Sequence, residues 1–174
     1  MDFPDIMEAY LLDPTPAHRN ALRAAVIASP GYDPMVSLAQ VLAGPTRASG
    51  TPEEAARAGV DAIWAQMPGL FLSPQAHARL ARGYRTLGQD TDADREEKLA
   101  VLAFDSIRAG RDGSEQSPFE VLRVADEYDV LSSSGLRSTG QELRPTDYGE
   151  ADVHTLAGGG ELWFRLLWRD APTA

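Results

Sequence analysis

Residues 112–129 read DGSEQSPFEVLRVADEYD, and within this stretch the hydrophobic pattern of the chain changes. Up to about Gly110, apolar residues recur at the spacing of an α-helix. From Phe119 onward, Phe119 and Val121 alternate with Glu120 and Leu122, a period of two that is typical of a strand. The stretch therefore predicts the boundary between a helical, Ala-rich half and a β-rich half.

Six short helices are predicted before this boundary, separated by Pro and Gly. The clearest start signal is at residues 51–54, where Thr51 can cap a helix and Glu54 can complete a capping box. A third helix is predicted to begin at Pro34, with Asp33 as its N-cap, and to run through Leu42. Residues 44–50 are predicted to be a turn-rich loop.

The last predicted helical hairpin resembles one tetratricopeptide repeat. This motif places a small residue, an aromatic residue, a turn glycine and two alanines at fixed spacing. The matching residues are Ala81, Tyr84, Gly88, Ala93 and Ala100. We therefore expect a degenerate tetratricopeptide-like array of about two hairpins.

The second half is predicted to be a small sheet with one short helix. After the strand that begins at Phe119, residues 126–134 are predicted to be helical, and strands follow at 136–143, 151–156 and 161–168. Three consecutive glycines, 158–160, predict a hairpin between the last two strands. The expected fold class is α+β, with a helical region at 1–110 and a small antiparallel sheet region at 111–174, packed together as one unit.

The residues around this boundary resemble a bacterial family of unknown function that pairs tetratricopeptide-like helices with a C-terminal α+β segment. Its motifs are an Asp-Gly-x-Ser turn, an alternating strand with Phe and Val, a Glu-Tyr pair before a Leu, a Gly-Leu step, a Gln-x-Leu strand and a final aromatic strand. The matching residues are Asp112, Gly113, Ser117, Phe119, Val121, Glu127, Tyr128, Leu131, Gly135, Leu136, Gln141, Leu143 and Leu162-Trp163-Phe164. Glu115 occupies the place of the turn serine, so the chain departs from the pattern there.

Composition excludes several classes of function. The formal net charge is -10, with 16 Lys plus Arg against 26 Asp plus Glu, which argues against nucleic-acid binding. The chain has no cysteine, so neither disulfides nor Cys-based zinc sites are expected. No apolar run approaches the roughly 20 residues that span a bilayer. The N-terminal residues carry no export or lipidation signal, so a cytoplasmic location without membrane contact is expected.

Two groups of residues are candidates for a binding site. The first is the acidic cluster Asp126, Glu127, Tyr128 and Asp129, in which Asp126 and Glu127 are expected to complement the dipole of a helix start. The second comprises Asp152 and His154 on one strand face and Arg165 on the next strand. Asp152 and His154 fit half of an acid–base pair or a weak metal site, but a solvated sheet face is the favoured interpretation.

No catalytic residue, cofactor or metal ligand is assigned from the sequence. Nucleophile motifs and phosphate-binding loops are absent, and Asp90, Asp92 and Asp94 depart from a calcium loop at Arg95 and Val101. The favoured function is a non-catalytic protein-binding or scaffold module with an unidentified protein partner. The alternatives are an immunity or inhibitor protein for a basic toxin, and a hydrolase-like enzyme that uses Glu150, Asp152, His154 and Arg165 on one sheet face.

Overall fold

The structure is a computed structural model that describes residues 2–48 and 50–169, without the side chains of 45–48. Within these residues the fold is α+β, as expected. The helices are α1 (Phe3–Leu12), α2 (Pro16–Ile27), α3 (Leu38–Ala48), α4 (Pro52–Trp64), α5 (Pro74–Thr86), α6 (Asp90–Arg108) and α7 (Val124–Ser133). The strands are β1 (Phe119–Val121), β2 (Ser138–Thr146), β3 (Gly149–Leu156) and β4 (Glu161–Leu166).

Four helices begin with the same local arrangement. Asp2, Thr15, Thr51 and Ser73 precede α1, α2, α4 and α5, and the side chain of each accepts a hydrogen bond from the backbone N–H three residues later. A proline follows within the first turn of all four, where its fixed φ suits the helix and no N–H is needed. The capping box predicted at Thr51 is present, because Glu54 Oε2 also accepts from the Thr51 N–H at 3.1 Å.

The third helix differs from its prediction at both ends. Helix α3 begins at Leu38, because Asp33 accepts a hydrogen bond from the Met35 N–H and forms a turn. It then continues to Ala48, so residues 44–48 of the predicted loop are helical. Ser49, which belongs to the same predicted loop, lies outside the described residues. Glycine costs a helix about 1 kcal/mol. Packing of Leu38 and Leu42 against α4 offsets that cost at Gly44.

Helices α3 to α6 pack against one another in chain order, and α1 packs against α2. Helices α4 and α5 approach each other closely at Gly83, where an added Cβ would lie 2.7 Å from Val60 Cγ2. The tetratricopeptide-like character of this array and the division at residue 110 stay predictions, and residues 170–174 of the second region lie outside the described part. Across the described residues, no helix combines the length and the apolar character needed to cross a bilayer.

The sheet is mixed rather than antiparallel throughout, with strand order β1-β4-β3-β2. Strands β2, β3 and β4 form the expected antiparallel meander, but β1 pairs in parallel with β4, Phe119 opposite Phe164. The prediction was wrong for β1 because the chain passes through α7, β2 and β3 before it returns beside β1. A parallel neighbour needs a connection of this length.

One face of the sheet carries the core shared with the helices. Strand register places Phe164 and Leu166 of β4 beside Phe119 and Val121 of β1 on this face. They pack against Val130 and Leu131 of α7 and Ile107 of α6. The opposite face carries a smaller cluster of Ala151, Val153 and Trp163.

Residues 122–124, where β1 ends and α7 begins, are held by the helical half of the chain. The Val124 N–H donates to Pro34 O at 3.0 Å, and the Tyr32 hydroxyl donates to Leu122 O. The Arg123 guanidinium donates to Gly69 O and lies 3.3 Å from Asp126 Oδ2, with both side chains buried. These contacts set the direction in which α7 leaves the sheet.

Replacing Gly113 with alanine should destabilise the protein by about 2–4 kcal/mol. Gly113 has φ +78°, and an added Cβ would lie 2.5 Å from the Phe119 ring and 2.7 Å from Leu162. Gly135 is the matched control, because its φ is +64° but nothing lies within 4 Å of an added Cβ. Urea unfolding should give a cost of only about 1 kcal/mol for Gly135→Ala. Equal costs at the two positions would contradict this packing.

Candidate functional site

The structure places the seven candidate residues in three environments. Asp126 and Glu127 are buried in the first turn of α7, Asp129 is half-buried, and 48% of Tyr128 is exposed. Asp152 and His154 lie on β3, on the sheet face that α7 covers. Arg165 lies on β4 but on the opposite face.

Glu127, Asp152 and His154 come together in a buried polar cluster. Glu127 Oε2 lies 2.8 Å from His154 Nε2, and one ligand atom from each of the three residues lies within 4.8 Å of the others. His154 is completely buried and Asp152 is 6% exposed. The interpretation of Asp152 and His154 as a solvated sheet face was therefore wrong, because α7 and the β2 side chains cover this part of β3.

Strand register and the direction of α7 explain the cluster. His154 lies opposite Leu162 and Asp152 opposite Phe164, so both point to the helix-covered face. The first turn of α7 passes over them and directs Glu127 inward. The His154 ring lies between Tyr128 and Phe164, each 5.4 Å away between ring centroids in an edge-to-face arrangement.

The two hydrogen bonds of the Ser138 hydroxyl determine which nitrogen of His154 carries a proton. The Ser138 hydroxyl donates its one proton to Gly140 O at 2.9 Å. Ser138 Oγ must then accept from the Nδ1–H of His154, 3.0 Å away. In the neutral ring, Nε2 therefore carries no proton, and its lone pair faces the Glu127 carboxyl group. A proton or another cation has to lie between these two atoms.

Gln141 of β2 covers the cluster on its outer side. Its amide nitrogen donates to Asp152 Oδ2 at 2.5 Å and to Glu127 Oε2 at 3.3 Å, and its amide oxygen accepts from the Tyr128 hydroxyl at 2.6 Å. The other carboxylate oxygens, Glu127 Oε1 and Asp152 Oδ1, are buried without a hydrogen-bond partner. Sequence reasoning missed the roles of Ser138 and Gln141, although Gln141 belonged to a matched motif.

Burial dominates the electrostatics of the acidic residues of α7. Desolvation raises the pKa of Glu127 to about 7; the hydrogen bond with His154 opposes this rise, and the charge of Asp152 adds to it. Desolvation also raises the pKa of Asp129 to about 7. The pKa of Asp126 is raised by burial, with the charge of Arg123 opposing.

An open cleft of about 800 Å³ lies beside the cluster, between the start of α3, the start of α5 and α7. A smaller depression of about 420 Å³ lies between α5, α6 and α7. Gln75, Asp129 and Ser132 line both, so they form the ridge between them. Tyr128 belongs to the wall of the larger cleft and also covers His154, so the cleft and the buried cluster share one side chain.

Arg165 does not join Asp152 and His154. It lies opposite Ala151 of β3, on the other sheet face, with its guanidinium 5.2 Å from the Tyr148 ring centroid and 3.7 Å from Glu120 Oε1. Glu150 is exposed and paired with Arg169. The four residues of the enzyme alternative therefore do not line a common pocket.

The stability of the protein in metal-free buffer should fall as the pH rises through 7, in part because of Glu127. Its folded pKa of about 7 exceeds the ordinary value of 4.5, so its proton stabilises the fold fully below pH 4.5, and this contribution is lost as the pH passes 7. The loss between pH 5 and 8 should be smaller in Glu127→Gln, by on the order of 2 kcal/mol. Urea unfolding at each pH measures it, and identical pH profiles for the two proteins would contradict it.

Three comparisons with known proteins complete the description of the site. No family model matches the chain, and neither a curated protein nor a solved structure matches it. The resemblance to a bacterial family of unknown function thus stays a prediction, and the function has to be argued from the residues themselves.

Proposed function

We propose that this protein is a non-catalytic binding module that uses the cleft between α3, α5 and α7 to hold a segment of another protein. The observation that carries the proposal is the distribution of exposed apolar side chains. Met35 is 65% exposed, Tyr128 48% and Leu136 38%, and all three line the larger cleft. Val101, 62% exposed, lines the adjoining depression. Grouped exposure of this kind is typical of a protein-interaction surface.

The chemistry of the ridge indicates the kind of segment that fits. Asp129 stands between the two depressions, and within the described part of the chain its carboxylate accepts two long hydrogen bonds from Gln75, at 3.3 and 3.4 Å. It can therefore accept a cation from a partner. A segment with a Lys or Arg between two apolar side chains would place one apolar group in each depression and its charge on Asp129. The net charge of -10 favours the approach of such a basic partner.

Two alternatives remain beside this proposal. An immunity or inhibitor protein would use the same cleft, with a basic toxin as its partner, and the acidic charge suits that case equally. The hydrolase-like alternative has less support, because Arg165 lies on the other sheet face and Asp152 and His154 are buried.

Glutamate substitutions in the cleft should abolish partner binding. In capture from extracts of the native cells, the double variant Met35→Glu, Leu136→Glu should lose its partner by at least tenfold, because both changes place charge in an apolar contact. Leu12→Glu is the matched control, since Leu12 is 79% exposed on α1 and lies outside the cleft. A photo-crosslinking residue at position 35 should join the same partner, whereas one at position 12 should not.

Asp129→Asn should weaken capture while leaving the fold intact, because it removes the charge but keeps one acceptor oxygen for the Gln75 backbone N–H. The crosslinked segment of the partner should contain a Lys or Arg beside apolar residues. A partner that is toxic when expressed alone would identify the immunity alternative. Binding that survives both the cleft variant and Asp129→Asn would overturn the proposal.

A further inference from the structure

We propose that Glu127, Asp152 and His154 bind one divalent transition-metal ion, of which zinc fits best, beneath Tyr128 and Gln141. The inference goes beyond the proposed function, because a partner in the cleft does not need the ion. Three features of the cluster support it: the donor atoms, the two unpartnered carboxylate oxygens and the hydrogen bonds around His154.

The donor set is one imidazole nitrogen and two carboxylates. Zinc binds His nitrogen and carboxylate oxygen at about 2.0–2.2 Å, so neighbouring ligand atoms of a tetrahedral site lie about 3.4 Å apart. The candidate ligand atoms already lie within 4.8 Å of one another. Small side-chain rotations bring them to bonding distance. The imidazole favours a transition metal over Mg²⁺ or Ca²⁺, which prefer sites made of oxygen.

Two carboxylate oxygens without a hydrogen-bond partner support a metal site independently of the donor set. Glu127 Oε1 and Asp152 Oδ1 are buried and accept no hydrogen bond. Buried polar atoms without a partner are rare and point to a water molecule or an ion at the site. Two buried carboxylates also repel each other, and one dication neutralises both.

His154 is oriented as a metal ligand requires. Its Nδ1–H donates to Ser138 Oγ, which leaves the Nε2 lone pair facing the Glu127 carboxylate, with an Asp152 oxygen within 4.8 Å. Metal-binding histidines characteristically donate their other N–H to such an outer partner, which fixes the tautomer and the ring plane. His154 Nε2 and Glu127 Oε2 lie 2.8 Å apart, a distance that a proton bridges. A zinc ion in place of that proton would separate the two atoms to about 3.4 Å.

Gln141 is the candidate fourth ligand. Its amide nitrogen now lies within 2.5 Å of Asp152 and 3.3 Å of Glu127. The oxygen and nitrogen of an amide are nearly isosteric, so a rotation of the amide by 180° directs its oxygen at the same point. The Tyr128 hydroxyl would then accept from the amide nitrogen instead of donating to the oxygen. A water molecule could occupy the fourth position instead, as in open zinc sites.

Zinc titration of the chelator-treated full chain tests the proposal. Isothermal calorimetry should show one Zn²⁺ bound per chain, and Asp152→Asn and Glu127→Gln should each weaken binding by at least tenfold. The matched controls are Glu150→Gln, on the same strand but exposed, and His18→Asn, a half-exposed histidine of α2. Both controls should bind zinc as the wild type does.

NMR line broadening by a paramagnetic ion locates the metal on the unmodified protein, and so does not depend on whether the ligand variants fold. In ¹⁵N-correlated NMR spectra, a substoichiometric amount of paramagnetic Co²⁺, which stands closer to zinc than Mn²⁺ does in its affinity for nitrogen ligands, should broaden the amide signals of residues 125–129 and 151–155 first. Broadening centred instead on the exposed acids of residues 90–97, or on residues 13–18, would show surface binding and overturn the proposal. The absence of stoichiometric zinc binding at micromolar concentration would do the same, and would leave a hydrogen-bonded network that only joins α7 to β3. Neither result changes the cleft experiment.

Discussion

Arg123 and Asp126 form a buried ion pair where β1 turns into α7. Removing one partner of such a pair leaves an uncompensated buried charge and typically costs about 3–5 kcal/mol. Here the two side chains also form hydrogen bonds with backbone groups, since Arg123 donates to Gly69 O and Asp126 accepts from the Leu122 N–H. The pair therefore fixes the rotation of α7. That rotation decides that Glu127 points inward to β3 while Tyr128 lies in the wall of the cleft.

The buried carboxylates on the two faces of the sheet have different charged neighbours. On one face, Glu120 lies 2.6 Å from Arg23, 2.5 Å from Arg111 and 3.7 Å from Arg165, so three guanidinium groups surround one carboxylate. On the other face, Glu127 and Asp152 meet one histidine. The negative charge of Glu120 is therefore neutralised, and its ion pair with Arg23 joins α2 to the sheet. Among the described residues, the second cluster forms no ion pair with Lys or Arg, and the proposed ion would supply that positive charge.

Local signals predicted the fold better than they predicted the site. The capping box at Thr51, the turn at Asp112-Gly113 and the hairpin of the last two strands depend on neighbouring residues, and each is present. The parallel pairing of β1 depends on contacts between distant segments, which periodicity does not encode. Asp152 and His154 were identified as sharing a strand face, but their burial follows from the position of α7. Gln141 meets them only through the register of β2 on β3.

Strand β2 is an outer edge of the sheet, and its sequence makes it a poor template for another strand. Pro145 has no N–H to offer, and the charged side chains Glu142 and Arg144 lie along the same strand. Charges and proline on an edge oppose edge-to-edge association and aggregation. The edge that covers the polar cluster thus also opposes self-assembly through the sheet.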